Sequence, residues 1–412
     1  MFRKIRTLTM RSRVERVANI HNLPLFRWLL IMVYLYIATF MFFLPWFCRD
    51  LGFSMYYTKS DHTIDQLREV NRARTLKARD FLSSTSKLSI WDFFNGEKRE
   101  DLEFAFIVVS VRRQENSNYL LQVAARLIDQ TLREKETPTA AVVVNVDAEP
   151  DLNEDANALS KYMTVLNQKE ILRKANQTFL YDSVYEKEKQ DYAFALEVGV
   201  RLGAKYTVII EDDALPDTQL IKKLQLVLKH RLPKPWFKPH NDWSFIKLYY
   251  PEKWQGFGNT EIHELICIFI FGGVIAVLIH VQILKSRNLQ IQVFLFFALG
   301  IFFVAVAYGV GRAHWIELRK LVFPFYTVSK APNCCTPAVL YPKEHLKNLA
   351  GFLTTKTCSK TYPLDFAIDE YAEKLRLQKY LVTPNLFTHI GFHSSLNKAN
   401  KDLREFSLLL DP

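Results

Sequence analysis

Tyr206–Pro216 reads YTVIIEDDALP, and its two halves ask for different surroundings. Tyr206–Ile210 is rich in β-branched and aromatic residues, which suits a strand buried on both faces. Glu211, Asp212 and Asp213 follow at once, and Ala214-Leu215-Pro216 ends the run because proline cannot extend a central strand. Acids at the C-terminal end of a buried strand stand at the crevice where open α/β sheets bind ligands. Alternation sends Glu211 and Asp213 to one side and Asp212 to the other. A hard divalent cation held there would take carboxylate oxygens and bridge to a diphosphate, which suits transfer from a nucleotide sugar. A solvated acidic turn or a structural cation site would use the same residues.

The flanking sequence supplies a sheet for that strand. Glu103–Val111 (EFAFIVVSV) reads as a buried strand followed by Arg112 and Arg113, Asn116–Gln130 as a helix, and Ala140–Val146 as a second strand ending at Asp147. Glu186–Leu202 places Tyr192, Leu196 and Gly199 on one helical stripe and runs into the Tyr206 strand; Trp243–Tyr250 (WSFIKLYY) is a further strand. This alternation predicts an α/β fold with a mixed, mostly parallel sheet. Val111 and Arg112 are candidates for contacts to the donor base or phosphates, and Asp147 for a ribose hydroxyl. A plain strand edge and a turn-capping acid are the bland readings of the same positions.

Three stretches are membrane-like. Trp28–Phe47 carries no charge, has tryptophans near both ends, and matches the roughly 20 residues a helix needs to cross ~30 Å of hydrocarbon. The bulky residues after it, Pro45 to Arg49, argue for an uncleaved anchor rather than a signal peptide. Met1–Arg27 holds seven Lys/Arg against Glu15 alone, so part of the net charge of +11 is local and assigns this flank to the cytosol. The basic balance therefore gives no ground for nucleic-acid binding. Leu265–Leu284 and Leu289–Val310 are apolar on every face and are joined only by Lys285, Ser286, Arg287 and Asn288, which predicts a hairpin with a cytosolic tip. The expected plan is a cytosolic tail at 1–27, an anchor at 28–47, a largely solvated and partly helical stem at 48–100, a lumenal piece at 101–262, a transmembrane hairpin at 263–311 and a second lumenal piece at 312–412. The second piece shows few clear strands, so one catalytic domain split by the hairpin is the simpler expectation, with a membrane lipid or lipid-anchored acceptor nearby.

Five cysteines are present. In an oxidising lumen, Cys334 and Cys335 pair with each other, or Cys358 pairs with one of them. Asn176-Gln177-Thr178 is a glycosylation sequon. After the hairpin, Thr361–Tyr371 (TYPLDFAIDEY) sets Asp365 and Asp369 one helical turn apart, and either is a candidate general base. In Pro384–Leu396 (PNLFTHIGFHSSL), His389 or His393 is a candidate distal metal ligand or phosphate contact. A helix-start acid and a structural histidine are the competing readings.

Taken together, the EDD triplet after a buried strand, WSFIKLYYPEKWQGFG leading into a hairpin, NCCTPAVLYP after it and the closing PNLFTHIGFHSSL resemble a known family. It is that of the Golgi-resident N-acetylgalactosamine transferases acting on the glycan of glycosylphosphatidylinositol (GPI) anchors after their attachment to protein. The resemblance implies a GT-A-type fold split by a membrane hairpin, UDP-N-acetylgalactosamine as donor, Mn²⁺ as metal, and the first mannose of the GPI core as acceptor. It implies Glu211, Asp212, Asp213 and His389 around the metal, in a Golgi-membrane protein with a lumenal catalytic domain. The first acid of the triplet is Glu rather than Asp. The HIG…SSL ending is also similar to one in N-glycan branching N-acetylglucosaminyltransferases, which keeps that activity as an alternative. A non-catalytic lumenal receptor or membrane-complex subunit is a third reading.

Overall fold

The structure, a computed structural model, describes residues 24–58, 62–85, 101–113, 117–178, 181–232, 242–258, 261–283, 285, 287–321, 325–394 and 399–406, excepting the side chains of 62, 63, 393, 394, 399, 400 and 403. Of the sequence expectations, the basic flank before Leu23, Asn116, Leu284, Ser286 and the His393 side chain lie outside the described residues. The chain forms two units: residues 1–60 with 255–315, and residues 61–254 with 316–412.

The second unit is built around a mixed sheet. Its strands are β1 (Phe104–Ser110), β2 (Thr139–Asn145), β3 (Val165–Asn167), β4 (Tyr206–Glu211), β5 (Ala214–Pro216), β6 (Trp243–Lys247), β7 (Thr327–Lys330), β8 (Ala338–Pro342), β9 (Gln378–Thr383), β10 (Phe387–His389), β11 (His393–Ser394) and β12 (Ala399–Asn400). Eight of them run in the order β3-β2-β1-β4-β8-β6-β9-β7. β3, β2, β1 and β4 are mutually parallel, as are β6 and β9, whereas β8 runs antiparallel to both β4 and β6, and β7 antiparallel to β9. This is the mixed, mostly parallel α/β sheet that the sequence predicts. The apolar runs become strands because both faces are covered: every residue of β2, β6 and β8 is buried.

Helix α1 (His62–Ser84) differs from the solvated stem expected there. Its Ala78 and Leu82 are buried in the main core, and Arg74 and Asn71 hydrogen-bond Gln122 on α2 (Tyr119–Arg133). Its apolar residues were legible; that they had a surface to cover was not. Helix α3 (Val184–Leu202) begins with an N-cap, Ser183 Oγ accepting from Glu186 N–H, and ends at Gly203 with φ +71°. Its first turns lie along the C-terminal end of the parallel strands: Lys187 Nζ donates to Val146 O, just past β2. α4 (Lys343–Thr354) and α5 (Leu364–Lys374) follow β8.

The first unit contains three helices long and apolar enough to cross a membrane: Pro24–Phe47, Ile262–Gln282 and Leu289–Val310. The latter two pack closely, and Gly273 is one reason, since a Cβ there would fall 2.5 Å from Phe296 Cδ2. At the hairpin's other end from its tip, Arg312 grips Glu264 with two hydrogen bonds of 2.8 and 2.9 Å.

Candidate active site

The acids of the opening stretch leave β4 in a turn, and β5 then pairs with β10 in a separate two-stranded ladder, Ala214 opposite His389. Backbone pairing therefore carries a residue from near the chain's end to the acids. Ile390 N–H donates to Asp213 O at 2.8 Å, and His389 Nε2 lies 3.4 Å from Asp213 Oδ2. Gly391 completes the approach, because a Cβ at that position would stand 2.7 Å from the Asp213 carboxyl carbon. One ligand atom each from Glu211, Asp213 and His389 lie within 4.8 Å of one another. Asp213 Oδ1 is buried and has no hydrogen-bond partner among the described residues. Two carboxylates, one imidazole and an unsatisfied buried oxygen fit a divalent cation such as Mn²⁺.

Asp212 points elsewhere. Its carboxylate accepts from Val111 N–H (3.2 Å) and from Arg113 Nε (3.0 Å) and Nη2, and Arg113 Nη2 also lies 3.2 Å from Asp213 Oδ2. Arg113, passed over in the sequence reading in favour of Arg112, is the arginine that engages the acids. One position along an extended chain reverses the facing, and the Arg112 side chain is instead half-exposed, 3.9 Å from Glu149. Lys401 was also missed. Its ammonium donates to the His389 ring, and it reaches the site on the segment after β12.

The charges interact strongly. Burial and the neighbouring Asp213 raise the Glu211 carboxyl above its usual range. Burial also raises Asp212, against the pull of Arg113. Asp213 is lowered: burial opposes its charge, but the Arg113 guanidinium and the Lys401 ammonium outweigh it. His389 is pushed down to about 4, chiefly by burial, so the imidazole is neutral and ligand-competent at physiological pH.

The remaining candidates fall in several places. Asp147 Oδ2 accepts from Arg112 N–H at 2.7 Å and Oδ1 from Glu149 N–H at 2.9 Å, tying the ends of β1 and β2 together beside the acids. Asp365 accepts from Cys335 N–H (2.7 Å) and Thr336 Oγ1 (3.1 Å). Asp369 is buried in an ion pair with Lys379 at 2.9 Å. Cys334 and Cys335 are bonded to each other, and Cys358 is a buried, unpaired thiol. Their segment borders the site, since Glu211 N–H donates to Pro337 O. Asn176 is exposed in a turn with φ +54°.

Among solved structures, the chain is similar to a Pyrobaculum calidifontis mannosyltransferase in complex with GDP-Man and Mn²⁺, at 12% identity over 45% of this chain and 48% of that one, with a TM-score of 0.23. It is likewise similar to mouse xyloside xylosyltransferase 1, at 11% identity over 75% and 81%, with a TM-score of 0.26. Likenesses this distant carry no argument about substrate. The model of the family "GPI-N-acetylgalactosamine transferase PGAP4" matches residues 104–388, a span that runs from β1 to β10 and includes the acids, the hairpin and all but the last residue of the β5–β10 ladder. The chain belongs to that family of glycosyltransferases.

Proposed function

We propose that the protein transfers N-acetylgalactosamine from UDP-N-acetylgalactosamine to the first mannose of the GPI core, with inversion, in the Golgi lumen. The observation that supports this reading is the convergence of Glu211, Asp213 and His389 at the C-terminal end of β4. These three residues would hold Mn²⁺, which when bound would supply a Lewis acid for the departing diphosphate. The chain's own groups do the rest. Arg113 neutralises Asp212 and holds the Asp213 carboxylate in one orientation, so the ligands are ordered before substrate arrives. Lys401 contributes a second positive charge on the side of His389, where a diphosphate would be drawn. The nucleoside lies over the ends of β1 and β2, where Val111, Arg112 and Asp147 stand.

The test is Asp213→Ala expressed in cells that lack the activity. GPI-linked N-acetylgalactosamine is expected to stay absent; restoration to the wild-type level would remove the acids from the mechanism. A panel of UDP-sugars with the purified wild type separates this donor from UDP-N-acetylglucosamine, the donor of the branching alternative.

A further inference from the structure

Sugar transfer also needs a place for the acceptor, and the sheet order limits where it can lie. Val111, Arg112 and Asp147 stand on one side of the acids, at the ends of β1 and β2. β8 and β6 lie on the other side of β4. Because β8 is antiparallel to both its neighbours, β6 runs in the same sense as β4 and leaves the sheet at the end where the acids stand. The residues that follow β6 are held to the His389 strand. Leu386 N–H donates to Leu248 O at 2.9 Å. The buried Asn385 side chain accepts from Tyr250 N–H (3.0 Å) and donates to Tyr250 O (2.9 Å) and to Glu252 Oε1 (3.0 Å). The Tyr249 and His389 ring centroids are 6.0 Å apart. One stretch of backbone, 385–389, thus carries both the histidine of the candidate metal site and the clamp on residues 248–252.

The clamped segment ends in a 3₁₀ turn, Glu252–Trp254, which presents an indole. Trp254 is 50% exposed. The Tyr250 ring lies 5.9 Å from it, centroid to centroid, and Lys253 Nζ sits 4.8 Å from its centroid while pairing with Glu405 at 3.0 Å. The indole is therefore fixed in place although half its surface is open. Exposing a large apolar ring and ordering it are both unfavourable, unless a partner covers it. The C–H face of a pyranose is such a partner, since its C–H groups meet the electron-rich face of the ring. Its hydroxyls need polar neighbours, and Lys253 and Glu405 beside the indole supply a donor and an acceptor. A lipid chain would cover the indole and leave that ion pair unused.

We propose that Trp254, braced by Tyr250, is the acceptor platform, on which a pyranose ring of the acceptor glycan stacks. The proposal rests on the protein being a transferase with a glycan acceptor. The donor then lies over β1 and β2, the acceptor over the end of β6, and the two meet at the acids of β4. Lys253 and Glu405 take the hydroxyls of the stacked ring.

The experiment uses the full-length protein in detergent with Mn²⁺, UDP-N-acetylgalactosamine and two acceptors, a lipid-free GPI-core glycan and a lipid-bearing GPI anchor. Trp254→Ala is expected to raise KM for the lipid-free glycan about 5–20-fold, the loss of one aromatic contact, with KM for the donor within about twofold of wild type. Trp254→Phe is expected to recover most of the affinity, and Trp254→Leu, apolar but not flat, to resemble the alanine variant. A KM for the lipid-free glycan within about twofold of wild type in both the alanine and leucine variants would overturn the platform alone. So would an effect confined to the lipid-bearing acceptor, which would make Trp254 a lipid contact. Equal rescue by leucine and phenylalanine would overturn stacking even if Trp254→Ala failed to fold. A wild type that binds no UDP-N-acetylgalactosamine by calorimetry would instead overturn the functional reading, and the platform with it.

Discussion

Gly391 shows how a single residue can set the geometry of the site. A side chain there would enter the space taken by the Asp213 carboxylate, so the close approach of β10 to the acids depends on its absence. Gly391→Ala is expected to lower transfer at least tenfold and to weaken Mn²⁺ binding by calorimetry. The thermal midpoint should fall by only a few degrees, since the residue lies beyond the ladder's last pair. Arg113→Ala should behave in the opposite way. It leaves Asp212 and Asp213 buried without their cation, and the loss of about 3–5 kcal/mol expected for one partner of a buried pair should appear in a denaturant melt. Arg113→Lys is not expected to rescue fully, because a point charge cannot reproduce the fork on Asp212. At this scale, Glu211, Asp213 and His389 were legible because metal chemistry restricts the residue types. Lys401 was not, because nothing in the spacing of a short, polar C-terminal segment shows that it folds back onto His389.

Elements were legible where burial came with a long, uninterrupted apolar run; β8, fully buried but only five residues long, was not read. β1, β2, β4 and β6 were recoverable from continuous apolar runs. β7 (TVSK) is a mostly exposed edge strand and gave little signal, while β9 (QKYLVT) is mostly buried but carries Lys379, whose charge is paired with Asp369. The piece after the hairpin is accordingly richer in strands than its composition suggested. α3 packs on β4 and β1 through Gly199, where a Cβ would lie 2.8 Å from Thr207 Cγ2 and 3.3 Å from Ile107 Cδ1. Gly199→Val should therefore cost about 1–3 kcal/mol by overpacking, read as a lowered midpoint in a denaturant melt; an unchanged midpoint would mean the helix shifts freely. The stripe of Tyr192, Leu196 and Gly199 was visible in the sequence as a packing face. The hydrogen bond from Tyr192 to Tyr341, which connects α3 to β8, required the fold.

Across the whole chain, the sheet draws on both sides of the apolar hairpin. β1–β6 precede it and β7–β12 follow it, yet β8 lies between β4 and β6. The split domain was foreseeable from hydropathy, but the place of β8 was not, because periodicity does not reveal which strand will be inserted between two others. A fragment ending at residue 261 lacks β8 and β9, so β4 is left with one unpaired edge and β6 with two. It is expected to be rapidly degraded by trypsin under conditions in which the full-length chain resists; a protease-resistant fragment would show that the first half folds alone.

The position of β8 also bears on biosynthesis. When the ribosome has finished β6, the strand that must separate it from β4 has yet to be translated, and two long apolar helices have to be made first. At about 5–20 residues per second the delay is on the order of ten seconds, during which nascent β4 and β6 could zip together out of turn. A chaperone that keeps those edges apart through the interval would decide the yield of the folded chain.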